Sequence, residues 1–338
     1  NYTPFGYAEF RANNPAIPLL GSETSSCTSS RGEYFFPVNE DDKRSGRANF
    51  QVTSYDYSAP KWAMAPDIEF AGQDDNPFVA GEFVWTGFDY LGEPTPYDTD
   101  AEEMLVFTDA ELEQRAAEDL RTLKKIRGPS RSSYFGIFDL CGFPKDRFYL
   151  YQARWRPELP MAHILPHWNW PERVGEVTPV HVYTSGDEAE LFLNGRSLGR
   201  KRRGPRDYRL RWSDVVYEPG ELRVVTYRDG KEWATDVVQT TGEPARVKLA
   251  VDRDAITADG RDLAFITATI VDPEGRLVPR SKNRLQFSLV GPGEIVVTDN
   301  GDATSHEPFQ QNERSAYNGV ALAVVRATPG GMGKITVR

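Results

Sequence analysis

The chain has 338 residues, enough for two or three domains of ordinary size, and 39% of them are hydrophobic. Its 50 acidic and 40 basic side chains give a formal net charge of -10, which disfavours nucleic acid as a partner. No apolar run approaches the roughly 18 residues of a membrane helix, so no membrane partner is expected. The two cysteines, Cys27 and Cys141, exclude a disulfide framework and a four-thiolate metal site.

Residues 1–158 are predicted to form a mixed α/β domain. The first predicted strand is the short apolar run 17–20. The second is 77–85, which is mostly apolar without polar alternation, as in strands of a parallel sheet that are buried on both faces.

Two helices are predicted in the same part of the chain. The first spans 108–127, where Thr108 and Glu111 form a capping box and Gly128-Pro129 ends the helix. The second spans 145–155 and is rich in aromatic residues. Leu112, Ala116, Leu120 and Leu123 mark one apolar face of the first helix, which is therefore predicted to be amphipathic.

From about residue 159 short alternating segments replace helical periods, which indicates all-β structure. We predict one β-sandwich of immunoglobulin type over 159–243 and a second over 244–338. Asn194-Gly195 is the strongest hairpin signal, because both turn positions require positive φ.

The sequence offers little for metal or cofactor chemistry. No His-Glu-x-x-His or paired-Cys spacing occurs, and His163 and His167, which are four residues apart, lie in a stretch rich in Pro and Trp that is not expected to be helical. No phosphate loop, dinucleotide fingerprint or Gly-x-Ser-x-Gly elbow occurs either. We therefore expect neither a bound metal nor an organic cofactor.

Carboxylates and aromatic rings remain as candidates for chemistry. Residues 81–94 contain four aromatic and three acidic residues. Sugar sites combine these residue types, since flat rings stack on pyranose faces and carboxylates act as acid, base and nucleophile. On composition alone, a buried strand that leaves into a loop fits this segment equally well.

Longer segments resemble the β-galactosidases of glycoside hydrolase family 2. VAGEFVWTGFDYLGEPTPY resembles the last strand of that family's barrel with its loop, and PLLGSETSSCTSSRGEYFFP resembles the strand that carries the nucleophile. SRSSYFGIFDLCGFPKDRFYLYQ resembles the segment that leads into the final barrel helix, and HILPHWNWPERVGEVTPVHVY with DEAELFLNGRSLG resembles the following sandwich. The resemblance implies the C-terminal part of a (β/α)8 TIM barrel followed by two immunoglobulin-like β-sandwiches.

By this resemblance Glu23 is the catalytic nucleophile of a retaining glycosidase, at the carboxyl end of a barrel strand. Tyr2 matches a tyrosine that lies near the nucleophile in the family, and we expect it to donate a hydrogen bond to Glu23. The alternative is a frayed terminal residue. The hydroxyls of Ser22, Thr24 and Ser25 are further candidates for holding the carboxylate. Glu33 is the rival nucleophile and lies too far along the chain.

The resemblance also implies residues that contact the sugar. Trp85 matches the stacking tryptophan, with packing in the core as the alternative. Asp89 either binds a sugar hydroxyl or braces its loop, and Trp62 and Tyr97 are weaker candidates at the edge of the site. Lys145 and Asp146 are interpreted as a helix start, and Trp168 and Trp170 as interdomain packing.

Two departures from the family pattern stand out. The acid/base glutamate belongs to an Asn-Glu pair after an earlier strand, and the two Asn-Glu pairs here, Asn39-Glu40 and Asn312-Glu313, are in other places. We therefore expect that the acid/base residue is missing from this chain, which is then inactive alone. Residues 99–128 form an insertion. It either borders the sugar pocket or binds a neighbouring chain, or it packs on the barrel without a role in function.

The expected partners are a β-galactoside, the missing N-terminal part of the enzyme, and possible further copies of the chain. β-Glucuronides or β-mannosides are alternative substrates, and a non-catalytic sugar-binding or assembly fragment is the alternative function. Location is left open by the sequence, with the bacterial periplasm or the exterior favoured over the cytoplasm.

Overall fold

The computed structural model describes residues 1–97, 107–123 and 130–338, which form two compact units, Asn1–Thr240 and Thr241–Arg338. None of the helices in these ranges is long and apolar enough to cross a membrane. The predicted boundaries at residues 158 and 243 remain predictions.

Helices of the first unit lie in its N-terminal two thirds, apart from one short 3-10 turn, Pro171–Arg173. Another 3-10 turn, Pro4–Gly6, precedes the first α-helix. The α-helices are α1 (Tyr7–Asn13), α2 (Pro66–Asp75), α3 (Ala110–Leu123) and α4 (Asp146–Trp155).

The start of α3 differs from the predicted capping box. The backbone N–H of Leu112 donates to Asp109 Oδ1 at 3.0 Å, so Asp109 supplies the cap. Thr108 instead exchanges two hydrogen bonds with Asn49, of 2.9 and 2.7 Å. The predicted capping residue was wrong because a distant side chain binds Thr108. Residues 124–127 of the predicted helix lie outside the described ranges.

The strands before residue 158 are short. They are β1 (Leu19–Ser25), β2 (Arg47–Ala48), β3 (Gln51–Val52) and β4 (Val79–Trp85). β2 and β3 form a small antiparallel pair, whereas β1 and β4 are parallel neighbours.

The predicted burial of 77–85 on both faces is wrong for the residues that the structure describes. Phe83 of β4 is 64% exposed, and Leu20 of β1 is 46% exposed. In this part of the structure the two strands pair only with each other, so their outer edges and one face lack a covering layer.

Two antiparallel sheets follow α4. One has the strand order β5-β6-β9 and the other β11-β10-β7-β8. The predicted hairpin is confirmed, because Leu193 pairs with Arg196 around Asn194 and Gly195, whose φ values are 51° and 79°. The strands are β5 (Ala162–Leu165), β6 (Val180–Thr184), β7 (Glu188–Leu193), β8 (Arg196–Arg202), β9 (Leu210–Trp212), β10 (Glu221–Arg228) and β11 (Lys231–Gln239).

One hydrophobic core joins these sheets to α2 and α4. Trp168 and Trp170 are buried in it. Trp170 meets Phe36 edge to face at 5.3 Å, and Trp168 lies 4.9 Å from the ring of Tyr217. Trp170 therefore packs against a residue that precedes position 158, whereas the ring contact of Trp168 is with a residue that follows it.

The second unit is built from strands. A four-stranded antiparallel sheet has the order β12-β13-β18-β16, and the pairs β14-β17 and β15-β19 accompany it. Its strands are β12 (Arg246–Val251), β13 (Leu263–Val271), β14 (Arg284–Gln286), β15 (Leu289–Val290), β16 (Gly293–Asp299), β17 (Glu313–Ser315), β18 (Val320–Ala327) and β19 (Thr336–Val337). Small and branched side chains of β13 and β18 form much of its core, together with residues such as Leu285 and Phe287.

His181 of β6 makes the stability of the first unit depend on pH. It is 0% exposed, and burial lowers its pKa to about 4, although Glu40 at 3.4 Å opposes the shift. The unfolded state therefore binds more protons than the folded state below pH 6.5, and stability falls as pH falls toward 4. We expect a loss of about 1 kcal/mol between pH 7.5 and 5.5.

Urea unfolding followed by tryptophan fluorescence measures this loss, since all seven tryptophans lie in the first unit. His181→Asn should unfold with a smaller pH dependence than the parent chain over this interval. His306→Asn, which changes an exposed histidine of the second unit, is the control and should keep the parent slope. An unchanged slope in His181→Asn would contradict the assignment.

Candidate active site

The two parallel strands end side by side. Thr24 of β1 pairs with Val84 of β4, and Ser25 pairs with Trp85. Thr24 Oγ1 also donates to Glu82 Oε2 at 2.7 Å, which ties the strands together through their side chains. Glu23 and Trp85 therefore lie at the same carboxyl end of one parallel pair.

Glu23 is half-buried and is held by Tyr2. The Tyr2 hydroxyl donates to Glu23 Oε1, and it lies 2.7 Å from Ser26 Oγ. Burial, followed by the hydrogen bond to Glu23, raises the pKa of Tyr2, so its phenol keeps its proton at neutral pH. The structure thus contains the hydrogen bond that was predicted between Tyr2 and Glu23, while the catalytic roles of both residues remain predictions.

The hydroxyls that were predicted to hold Glu23 bind elsewhere. Ser22 donates to Asn1 at 2.7 Å, Thr24 donates to Glu82, and Ser25 accepts from Tyr151 at 3.2 Å. Alternation along the strand explains the difference for Ser22 and Thr24, because the neighbours of Glu23 point to the opposite face. Ser25 would share the face of Glu23 in a regular strand, but its φ of 62° lies in the left-handed region at the end of β1. Ser26, which the sequence did not indicate, is the hydroxyl that reaches the Tyr2–Glu23 pair.

The backbone around Glu23 is unusual. Tyr2, Ser25 and Ser26 have φ values of 56°, 62° and 52°, in the left-handed region that residues other than glycine rarely occupy. Such conformations concentrate at functional sites, where the surrounding structure imposes them. The bend after β1 is therefore consistent with a site at Glu23.

Aromatic rings border the carboxylate. Trp62 is 49% exposed, and its ring lies 5.0 Å from that of Tyr2 at an angle of 62°. Trp85, at the end of β4, is partly exposed and donates from Nε1 to the Tyr90 hydroxyl at 3.2 Å. The structure thus places Trp85 beside the end of β1 and Trp62 beside Tyr2, the residue that binds Glu23.

Asp89 lies below this surface, with only 6% of its area exposed. Its Oδ2 is 2.6 Å from Lys145 Nζ, and its Oδ1 accepts the Gly136 N–H at 2.7 Å. Burial raises the pKa of Asp89 and lowers that of Lys145, and the charge of each opposes the shift of the other. This geometry supports the loop-bracing alternative, and gives no support to the predicted contact between Asp89 and a sugar hydroxyl.

The structure overturns one further prediction and agrees with another. Tyr97 is 5% exposed and donates to the backbone oxygen of Gln51 at 2.6 Å, so it is a core residue and not part of the edge of the site. Lys145 precedes α4 at its N-cap position, as predicted for a helix start. Its ammonium group is buried and also donates to the carbonyl oxygens of Ser29 and Tyr134, at 2.7 and 3.2 Å.

The sequence did not single out Tyr90 or Glu93. Tyr90 links Trp85 to Glu93, whose carboxylate accepts the Tyr90 hydroxyl at 2.5 Å. The density of aromatic and acidic residues in 81–94 was the available signal, but it does not say which side chains meet.

Metal chemistry finds no support in the described ranges. No group of three or more His, Cys, Asp or Glu residues there has a geometry that could hold a metal ion. What the arrangement offers is a carboxylate held by a phenol and bordered by indoles. That combination is typical of proteins that bind and process carbohydrates.

The comparisons with known proteins agree with this class. Residues 247–338 match the model of glycoside hydrolase family 2 C-terminal domain 5, and residues 175–234 match a domain of unknown function, DUF4982. The β-galactosidase BoGH2A of Bacteroides ovatus is 36% identical over 322 residues, covering 93% of this chain and 34% of that protein. A putative β-glucuronidase of Formosa agariphila is 32% identical over 263 residues, covering 75% of this chain and 22% of that protein.

Solved structures give the same result. A β-glycosidase from Bacteroides vulgatus has a TM-score of 0.76 at 26% identity, covering 98% of this chain and 41% of its own. A glycosyl hydrolase family 2 member from Bacteroides cellulosilyticus has a TM-score of 0.74 at 26% identity, covering 100% of this chain and 39% of its own.

The chain belongs to glycoside hydrolase family 2. It is similar to a C-terminal portion of these enzymes and spans about a third or less of the length of the two curated relatives above.

Proposed function

We propose that this chain carries the nucleophile and part of the sugar platform of a retaining β-galactosidase. The observation that supports the proposal best is the hydrogen bond from Tyr2 to Glu23 beside Trp62, at the strand end that is shared with Trp85. A carboxylate in this position faces a surface of aromatic rings on which a pyranose can stack.

In the proposed reaction the Glu23 carboxylate attacks the anomeric carbon of a terminal β-galactoside. The bond from that carbon to the leaving-group oxygen breaks, and this oxygen takes a proton from the acid/base carboxyl group. Water then attacks the glycosyl-enzyme, its proton returns to the acid/base group, and Glu23 is released with the sugar in its original configuration. We place the acid/base carboxyl outside these 338 residues, so the chain alone is inactive.

The corresponding architecture is also a proposal. The parallel pair β1-β4 would belong to the end of a (β/α)8 barrel, and the antiparallel sheets would form two immunoglobulin-like sandwiches. The exposed Phe83 and Leu20 support a further layer over the strand pair, because apolar side chains there are uncovered in the described ranges. We therefore propose the remaining barrel strands as one partner of this chain, with a glycoside as the other. The proposed location, a bacterial periplasm or the outside of the cell, is independent of these observations.

The names of the relatives support one alternative substrate. BoGH2A is named a β-galactosidase, whereas the Formosa relative is named a putative β-glucuronidase, so β-glucuronides are the second candidate. β-Mannosides are the third candidate, which the names of these relatives do not address. A non-catalytic sugar-binding or assembly role is the alternative of another class.

A substrate screen of the complete gene product tests the proposal. We expect turnover of an aryl β-galactoside at least about tenfold faster, in kcat/KM, than of the matching glucuronide and mannoside, a ratio within the reach of pocket contacts. Proton NMR of the first product should show the β-anomer of galactose, as retention requires. A preference for another glycoside would mean that β-galactosides are not the substrate. The absence of turnover of any glycoside would favour the non-catalytic role.

A further inference from the structure

A short chain of hydrogen bonds holds the indole of Trp85 from one side. Trp85 Nε1 donates to the Tyr90 hydroxyl oxygen at 3.2 Å, and the Tyr90 hydroxyl donates to Glu93 Oε2 at 2.5 Å. The rings of Trp85 and Tyr90 meet edge to face, with centroids 5.9 Å apart and planes at 84°. Because the Tyr90 hydroxyl accepts from Trp85 and donates to Glu93, the three side chains form one connected network.

The backbone of Tyr90 is held by hydrogen bonds that do not involve Trp85 or Glu93. The Tyr90 N–H donates to Ser133 Oγ at 3.2 Å, and the Ser133 N–H donates to the Tyr90 carbonyl at 2.8 Å. The preceding residue, Asp89, is anchored by its buried ion pair with Lys145. The Tyr90 hydroxyl is therefore presented to Trp85 from a rigid support.

Glu93 completes the network from the surface. It is exposed, and a turn with positive φ at Gly92 and Glu93, 87° and 45°, returns its carboxylate to Tyr90. Burial, followed by the hydrogen bond to Glu93, raises the pKa of Tyr90, so its hydroxyl stays a donor at neutral pH.

We infer that Tyr90 and Glu93 are positioning residues that hold the Trp85 indole in the orientation in which it stacks on the sugar. The inference rests on the proposed function, since it assumes that Trp85 is the sugar platform. Without this network the indole has more conformations to lose on binding, and the cost of ordering a side chain weakens affinity. Stacking acts on the bound substrate and on the transition state alike, so its loss raises KM and leaves kcat nearly unchanged.

Tyr90→Phe removes the hydroxyl that receives the Trp85 N–H and keeps the ring. In the complete gene product we expect KM for an aryl β-galactoside to rise about threefold to tenfold, with kcat within about twofold of the parent. Tyr149→Phe is the matched control, because it removes a phenol hydroxyl from α4, outside the loop that follows β4. Its KM and kcat should equal those of the parent.

Glu93 provides a second test. Because its side chain is exposed, its substitution does not disturb a buried position. Glu93→Ala removes the acceptor of the Tyr90 hydroxyl, and we expect KM to rise about threefold. Glu93→Gln keeps an acceptor oxygen at the same place, so KM should return toward the parent value. This rescue by the conservative variant separates positioning from a general loss of surface charge.

The results distinguish this inference from the proposed function. If Trp85→Ala raises KM while Tyr90→Phe and Glu93→Ala leave it unchanged, the positioning role is wrong and the proposed function stands. If Trp85→Ala leaves KM and kcat unchanged, the sugar platform itself is wrong, and the inference fails with it.

Discussion

Glu23→Gln in the complete gene product is expected to lower kcat for an aryl β-galactoside by at least about 10³-fold. Glutamine has the size of glutamate, and its amide oxygen still accepts the hydrogen bond from Tyr2. The fold should therefore be preserved, whereas an amide does not attack the anomeric carbon to form a glycosyl-enzyme. Initial-rate measurement with a chromogenic galactoside checks the prediction.

Glu33→Gln is the matched control for this change. It removes the same charge ten residues further along the chain, where the Glu33 backbone takes part in a turn with Ser30. Its kcat should stay within about twofold of the parent, as expected for a residue outside the chemistry. A Glu23→Gln enzyme with parent activity, or a Glu33→Gln enzyme without it, would show that the nucleophile has been assigned to the wrong residue.

Chemical rescue adds a positive test of the same residue. Glu23→Ala leaves a space beside the anomeric carbon, into which azide can enter as a small external nucleophile. Azide would displace the aglycone in one step and give an α-galactosyl azide, with inversion where the parent enzyme retains. Detection of this product by NMR would identify the residue whose carboxylate was removed.

Lys145→Met is expected to have the largest effect on stability, a loss of about 3–5 kcal/mol in the free energy of unfolding. The Lys145 and Asp89 side chains are 1% and 4% exposed and lie 2.6 Å apart. Removal of the ammonium leaves the Asp89 carboxylate buried without its counter-charge. It also removes the donor to the carbonyl oxygens of Ser29 and Tyr134. Urea unfolding of the chain, followed by tryptophan fluorescence, measures the loss.

A double-mutant cycle isolates the ion pair from the other consequences of the change. Asp89→Asn in the Lys145→Met background removes the unpaired charge, so the double variant should lose less stability than the sum of the single variants. Arg156→Met, which breaks the exposed pair between Arg156 and Glu158, is the control and should cost less than about 1 kcal/mol. Equal losses in the buried and exposed pairs would contradict the bracing role of Lys145.

Local sequence was sufficient for features that depend on a few neighbouring residues. Asn194-Gly195 predicted its hairpin, because the left-handed backbone required at both turn positions is a property of those two residues. The second predicted helix was found as α4, beginning one residue later than predicted. The Tyr2–Glu23 hydrogen bond was predicted from long segments that resemble a known family, not from a local rule.

Tertiary structure alone decided which polar groups near the site are used by the protein itself. Asp89 and Tyr97 looked like candidates for sugar contact, and both are buried with partners from distant segments, Lys145 and Gln51. The sequence did not identify Tyr90 as a site residue, yet its hydroxyl connects Trp85 to Glu93. Residue type states what a side chain is able to bind, but the partner it finds depends on how distant segments pack.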